Sequence, residues 1–145
     1  SLISGGAGLV STALDYARFA EMLRRGGTLD GARILGPKSV AFMTKNHLSG
    51  PSMHAAWEQM PTPDIGRPGF GFGLGFGVVT DAAAIGVLGS DGEYNWGGAA
   101  GTIFWVDPTE ELVVVSLIQL MQSPWPLRAD VKVAVYQALT EIYEE

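Results

Sequence analysis

The segment from Gly89 to Asp107 contains residues that could bind a ligand through their main chain. Its centre is Trp96-Gly97-Gly98, followed by Ala99, Ala100 and Gly101. Small residues in a strand leave the backbone accessible, so an edge strand of this composition can line a cleft and hold a ligand. A tightly packed strand explains the same residues, and composition alone does not decide between the two.

Side chains with their own chemistry are few. The chain has no cysteine, which excludes disulfides, thiolate nucleophiles and Cys-ligated metal sites. His47 and His54 lie in a proline-rich stretch with no Asp or Glu at metal-ligand spacing, so we predict solvated loop residues, with substrate contact as the alternative. Four carboxylates flank a predicted hairpin or end the chain and are expected to be solvated. We do not expect them to act as general acids, because a general-acid carboxylate needs a buried setting to shift its pKa. They are Glu110, Glu111, Glu144 and Glu145.

Nucleotide, nucleic-acid and membrane functions are not indicated. No register of the glycine-rich segment satisfies Gly-x-Gly-x-x-Gly, and the Gly-Lys-Ser/Thr of a phosphate loop is absent. The formal net charge is −6, and no basic patch is available for phosphate contacts. The longest apolar stretch, Leu112 to Met121, is interrupted by Ser116 and Gln119 and is shorter than the ~20 residues of a membrane helix. We therefore predict neither a nucleic-acid nor a membrane partner.

The first third of the chain predicts two helices. Thr12 with Asp15 fits a capping box, with Ser11 as an alternative cap, and Gly26-Gly27 ends the apolar stripe that follows. Asp30-Gly31 predicts a hairpin or a turn, and Pro37 opens a second helix that runs to about Lys45. Residues 47–68 are predicted to be a long loop.

The remainder predicts an antiparallel sheet and a final helix. Glycine alternates with apolar residues from Gly69 to Val78, which predicts a strand with one bare face that another element approaches closely. Tyr94 to Val106 and Leu112 to Leu120 are two further strands, and Ala84 to Leu88 is a possible fourth. An amphipathic pattern from Leu127 to Tyr143 predicts a helix. The fold class is α+β, with an antiparallel sheet of three to four strands flanked by helices.

Several ordered blocks resemble one protein family. They are the segment Gly8 to Phe19 (GLVSTALDYARF), the segment Gly71 to Gly77 (GFGLGFG), Trp96 to Thr102 (WGGAAGT) and Phe104 to Pro108 (FWVDP). Together they resemble the C-terminal part of the serine β-lactamase-like hydrolases, in particular esterases related to class C β-lactamases. The resemblance implies the C-terminal portion of the β-lactamase/DD-peptidase-like fold. Residues 1–145 would form a single incomplete domain, with a helical segment at 1–46, a loop at 47–68, and the sheet plus C-terminal helix at 69–145.

The resemblance also implies a site. Family active sites combine Ser-x-x-Lys, a Ser/Tyr-x-Asn element and Lys-Thr-Gly on a strand. Trp96, Gly97 and Gly98 would take the third position and contact substrate, and the N–H of Ala99 would be an oxyanion-hole donor. Trp96 in place of lysine removes the cation that attracts a β-lactam carboxylate and favours neutral esters. Neither a metal nor a cofactor is implied.

The other two elements are missing. No serine has Lys three residues later, and no tyrosine has Asn two residues later. The nucleophile and its base are therefore expected N-terminal of Ser1, in a longer polypeptide from which this chain is a piece, and the chain alone is expected to be inactive. The alternative is a non-catalytic binding or assembly module derived from the same fold.

Partners follow from the same expectation. The complete protein would take a small ester or β-lactam-like substrate. Sheet edges that the missing segment normally covers invite pairing, so we expect a homo-oligomer or a bound N-terminal partner segment.

Overall fold

The computed structural model describes residues 9–48 and 68–143. The glycine-rich segment at residues 5–8, which the sequence predicts to be a loop, lies outside these residues, as do His54 and most of the predicted 47–68 loop. The helices are α1 (Ala13–Arg24), α2 (Pro37–Met43), α3 (Ala82–Ile85) and α4 (Leu127–Gln137). The strands are β1 (Thr28–Leu29), β2 (Ala32–Arg33), β3 (Phe70–Phe72), β4 (Gly77–Val79), β5 (Tyr94–Gly97), β6 (Ile103–Asp107) and β7 (Leu112–Ser116).

The main sheet is an antiparallel meander of five strands in the order β3-β4-β5-β6-β7. Helices flank it, so the predicted α+β class is confirmed, and β1 and β2 form a separate hairpin around Asp30-Gly31 as predicted. The predicted count of three to four strands was too low, because two of the predicted strands are each a hairpin. Gly69 to Val78 splits into β3 and β4, and Tyr94 to Val106 splits into β5 and β6.

Two other element predictions were wrong in part. Ala84 to Leu88 is not a strand, because Asp81 caps a short helix there by accepting a hydrogen bond from the Ala84 amide at 2.8 Å. The final helix ends at Gln137 rather than continuing to Tyr143.

Helix α1 begins where the capping pattern predicts. Thr12 is the N-cap residue, and its hydroxyl accepts the Asp15 amide at 3.1 Å, which satisfies one of the orphan donors of the first turn. Gly26 and Gly27 follow the helix with φ of 62° and 96°, values that glycine adopts without strain.

The apolar core lies between α1 and one face of the sheet. Along β6, Phe104 and Val106 point into this core, whereas Trp105 and Asp107 point to the opposite face, where α4 packs. The buried core residues are Ala20, Met22, Leu23, Val40, Phe76, Val78, Tyr94, Phe104 and Val106. The sheet is thus the middle of three layers.

The bare glycine face does receive a close neighbour. A Cβ at Gly73 would overlap the carbonyl oxygen of Met43 at the end of α2, and one at Gly71 would overlap the Asn46 side chain. The close approach predicted from alternating glycines is therefore present where β3 meets the end of α2.

Within the described part of the chain, no helix is both long and apolar enough to cross a membrane. The same residues contain no cluster of three or more His, Asp or Glu side chains suited to a metal ion.

Candidate active site

A cavity of about 390 Å³ lies between the N-terminal end of α1 and strands β5 and β6. Three of the four predicted site residues, Trp96, Gly97 and Gly98, line it. The other lining residues are Ser11, Thr12, Tyr16, Thr102, Ile103, Phe104 and Leu117. None of these ten residues is charged, so the walls that the described residues supply suit an uncharged ligand.

Trp96 forms an aromatic wall of this cavity. Its indole packs edge-to-face on Phe72 with ring centroids 5.0 Å apart, and it pairs with Phe104 across β5 and β6. The residue remains 36% exposed. An aromatic ring that is fixed by one neighbour and open on another side can contact a ligand without rearrangement.

A tight turn connects β5 to β6 directly after this wall. The Gly101 amide donates to the Gly98 carbonyl at 3.0 Å, and the Gly98 amide donates to the Thr102 carbonyl at 2.9 Å. Ala99 is the first central residue of the turn and is exposed. Its N–H donates to no acceptor within the described residues. Ala99 is not among the lining residues and follows them directly, so its predicted role as an oxyanion donor stays a prediction.

Arg128 supports the turn from the opposite face of the sheet. Its Nη2 donates to the Gly98 carbonyl at 2.6 Å and lies 3.4 Å from the Thr102 carbonyl. A Cβ at Gly97 would lie 2.8 Å from the Arg128 Cζ atom. The missing side chain at Gly97 therefore makes room for the guanidinium group of Arg128 on that face.

Comparison with known proteins identifies the family. A family model described as Beta-lactamase matches residues 2–138. The chain belongs to the Beta-lactamase family. Two Mycobacterium tuberculosis proteins, the uncharacterized protein MT1414 of strain CDC 1551 / Oshkosh and protein Rv1367c of strain H37Rv, are each 42% identical over 125 residues. These matches cover 82% of this chain and 29% of each relative, so the chain spans less than a third of their length.

Solved structures place the chain in the same fold. It matches EstCE1, a hydrolase with promiscuous acyltransferase activity, with a TM-score of 0.72 and 32% identity over 92% of this chain and 32% of that one. Simvastatin synthase (LovD) from Aspergillus terreus, unliganded, matches with a TM-score of 0.62 and 22% identity over 83% of this chain and 33% of the other. This second match shows the shared fold. The family assignment and the β-lactamase-like fold predicted from the motifs are thereby confirmed.

The cavity also contains residues at the start of α1 that were not predicted as site residues. Ser11 and Thr12 line the cavity at the start of the helix, and Tyr16 lies one turn further along. Burial raises the pKa of the Tyr16 phenol, and its ring packs edge-to-face on Phe104 at 5.1 Å. The phenol is therefore a neutral group at physiological pH. The capping pattern of Thr12 and Asp15 indicates where the helix begins, but it does not indicate that side chains at this end of the helix face the cavity.

His47, Glu93 and Asp107 lie outside the cavity and have structural partners. The exposed His47 contacts the Phe42 carbonyl through Nε2 at 2.7 Å and lies away from the cavity. Glu93 and Asp107 are fully buried on the α4 face. Lys132 donates to Glu93 at 2.7 Å, and the Tyr136 hydroxyl lies 2.9 Å from Glu93 and 2.7 Å from Asp107. These carboxylates attach α4 to the sheet and do not face the candidate active site.

Proposed function

We propose that the complete protein is a serine hydrolase that cleaves small neutral esters. In this proposal the chain supplies the Ala99 N–H as an oxyanion-hole donor and Trp96, Gly97 and Gly98 as the wall of the acyl pocket. The observation that carries the proposal is the Trp-Gly-Gly wall of a cavity, followed at once by an exposed amide without an acceptor in the described structure.

The chemistry explains why an unpaired amide matters. When a base takes the serine proton and the serine oxygen attacks an ester carbonyl, the carbonyl oxygen gains negative charge. The C–O bond to the alkoxy group then breaks, the alcohol leaves with the proton from the base, and an acyl-enzyme remains. Water attacks this acyl-enzyme and releases the acid. Backbone N–H groups aimed at the developing oxyanion lower both barriers, and removal of one donor typically costs ~10²–10³ in turnover.

Neutral esters fit the walls better than anionic substrates. The lining formed by the described residues contains no cation that could attract a carboxylate. Trp96 instead presents a flat apolar surface against which an acyl or alkoxy group can pack. The charged Arg128 contacts the turn from the far face and is not part of the lining.

The nucleophile and base would come from residues outside this chain, because the 145 residues contain no Ser-x-x-Lys. EstCE1 is a hydrolase with acyltransferase activity, which supports the same reaction class here. Three apolar side chains just before α1 and in its first turn are largely exposed, namely Leu9 at 96%, Val10 at 98% and Leu14 at 72%. We propose that the rest of the complete protein, or a second copy of the chain, covers them.

The decisive test removes the Ala99 N–H in the complete protein. Ala99 is the second residue of the Gly98–Gly101 turn, a position at which proline is favoured. We expect Ala99→Pro to lower kcat by ~10²–10³ while the protein stays folded. The matched variant Ala99→Ser keeps the amide and should retain activity. Equal turnover of the two variants in an ester hydrolysis assay would exclude Ala99 as an oxyanion donor.

A second experiment tests the division of the site. A fluorophosphonate probe should label the complete protein at one serine and should not label the 145-residue chain. Stoichiometric labelling of the chain alone would show that the nucleophile lies within it. If the complete protein is not labelled at all, the hydrolase proposal fails and a non-catalytic module is the better explanation.

A further inference from the structure

We infer that Arg128 is a positioning residue that orients and polarises the Ala99 amide, an inference that rests on the proposed function. Arg128 lies in the first turn of α4, on the face of the sheet opposite the cavity. Its Nη2 donates to the Gly98 carbonyl at 2.6 Å. A guanidinium reaching a carbonyl at this distance makes a short, charge-assisted hydrogen bond.

The bonded carbonyl and the Ala99 N–H belong to the same peptide unit. A trans peptide is planar, so its C=O and N–H bonds point in opposite directions. The Gly98 oxygen accepts from Arg128 and also from the Gly101 amide at 3.0 Å, which occupies both of its lone pairs. The plane of this peptide is therefore held, and the Ala99 N–H is directed away from the two donors.

The same bond strengthens the donor. The guanidinium charge beside the Gly98 carbonyl oxygen draws electron density through the peptide group and away from the Ala99 N–H. Linked hydrogen bonds polarise one another in this way. The Ala99 N–H thus becomes a better partner for an oxyanion than an ordinary amide.

Two further features fit this role. Gly97 leaves the space that the guanidinium occupies, since a Cβ there would lie 2.8 Å from Arg128 Cζ and 2.9 Å from its Nη2. An arginine in the first turn of a helix is also unfavourable for the helix dipole. Arg128 therefore occupies a position that is unfavourable for helix stability, and from that position its side chain reaches the turn.

The test compares three variants of the complete protein by kcat and KM for ester hydrolysis. Arg128→Gln should lower kcat about tenfold or more with little change in KM, because a charge-assisted bond is lost and substrate contacts remain. Arg128→Lys keeps the charge without the planar fork and should be intermediate. Gly97→Ala keeps the arginine but displaces it, so its kcat should fall as well.

Chemical rescue separates positioning from plain structural support. Added guanidinium at a sub-denaturing concentration should restore part of the kcat of Arg128→Ala. Arg33→Gln is the matched control, because Arg33 is also exposed and donates to a backbone carbonyl, that of Leu35 at 3.2 Å. It lies outside the cavity and should leave kcat unchanged.

The outcomes distinguish this inference from the proposed function. If Ala99→Pro is impaired but Arg128→Gln and Arg128→Lys have wild-type kcat, the inference is wrong and the oxyanion role stands. If Arg128 variants lose activity only in proportion to lost folded protein, and guanidinium restores nothing, Arg128 is merely structural and the inference is also wrong. A wild-type protein without hydrolase activity would instead refute the proposed function.

Discussion

The two tryptophans of the β5–β6 hairpin show how position decides a residue's role. Trp105 is 1% exposed and stacks on Tyr136, on the face where α4 packs. Trp96 is 36% exposed and lines the cavity on the other face. The same side chain is thus a packing residue in one strand and a candidate ligand contact in the next.

This difference predicts the effect of Trp96→Ala in the complete protein. The substitution removes the indole from the wall and enlarges the cavity, so the preference among ester chain lengths should shift toward longer or bulkier acyl groups. Its cost in stability should be well below that of Trp105→Ala, for which loss of a buried tryptophan typically costs ~3–5 kcal/mol. Specificity is measured as relative kcat/KM over a series of nitrophenyl esters, and stability by urea unfolding. An unchanged chain-length profile would show that Trp96 only packs on Phe72.

The sequence could indicate some site residues and not others for a physical reason. Trp96, Gly97 and Gly98 stand in one contiguous motif, so the family resemblance predicted them together. Arg128 is 30 residues away from Gly98 and bonds to a backbone oxygen, an acceptor that every residue possesses. Such a contact depends on how α4 docks, and no local pattern encodes it.

At the scale of elements, the alternating glycines correctly predicted β-structure between Gly69 and Val78, but this segment forms two short strands of a hairpin instead of one long strand. Period-two alternation from Gly69 to Val78 is the same whether the chain continues straight or reverses. The structure reverses it between β3 and β4, where Gly75 has a φ of 95° and Gly73 donates to the Phe76 carbonyl at 2.7 Å. Capping and turn signals were more reliable, because Thr12 and Asp30-Gly31 act through local bonds and local backbone geometry.

The close contact between this hairpin and α2 predicts a sharp effect of Gly73→Ala. The new Cβ would overlap the Met43 carbonyl, which also accepts the Leu74 amide at 2.8 Å. The backbone at Met43 or at residue 73 must therefore move. We expect the free energy of unfolding of Gly73→Ala to be lower than that of the wild type by ~1–3 kcal/mol. Gly36→Ala is the matched control, since the nearest atom to its Cβ would be the Ser39 hydroxyl at 3.6 Å. Comparable stability of the two variants in urea unfolding would contradict this account of the packing.

At the scale of the whole molecule, buried polar side chains connect the α4 layer to the sheet. Glu93 precedes β5 and Asp107 ends β6, whereas Lys132 and Tyr136 lie one turn apart on α4. Glu93 and Asp107 are not among the carboxylates that the sequence singles out, and nothing in the order of residues along the chain pairs residues 93 and 107 with 132 and 136. Tertiary packing alone creates this cluster, which is why it was not predicted.

The proton count within the cluster favours a protonated carboxyl group. The Tyr136 phenol carries one hydrogen but lies within bonding distance of both Glu93 and Asp107. A proton on Glu93 supplies the second donor. In agreement with this, burial raises the pKa of Glu93 above its ordinary value of about 4.5, although the Lys132 ammonium opposes the shift.

A pH-dependent stability follows, with a definite sign. The native state holds the Glu93 proton more tightly than the unfolded chain does, so this contribution is complete below about pH 4.5 and is lost as pH rises through the raised pKa. Glu21 acts in a separate window. Arg24 and Arg25 lower its pKa to about 2, so its stabilising contribution is complete above about pH 5 and is lost only in stronger acid.

Glu93→Gln should therefore flatten the decline in unfolding free energy as the pH rises above about 5, where Glu21 stays ionised. Glutamine keeps the shape of the side chain and can still accept from Lys132, so the comparison isolates the proton. Urea unfolding of both proteins across this range measures the slopes, and the exposed Glu141→Gln controls for the loss of one negative charge. Parallel profiles for wild type and Glu93→Gln would show that the cluster binds no extra proton and that Glu93 is ionised in the folded protein.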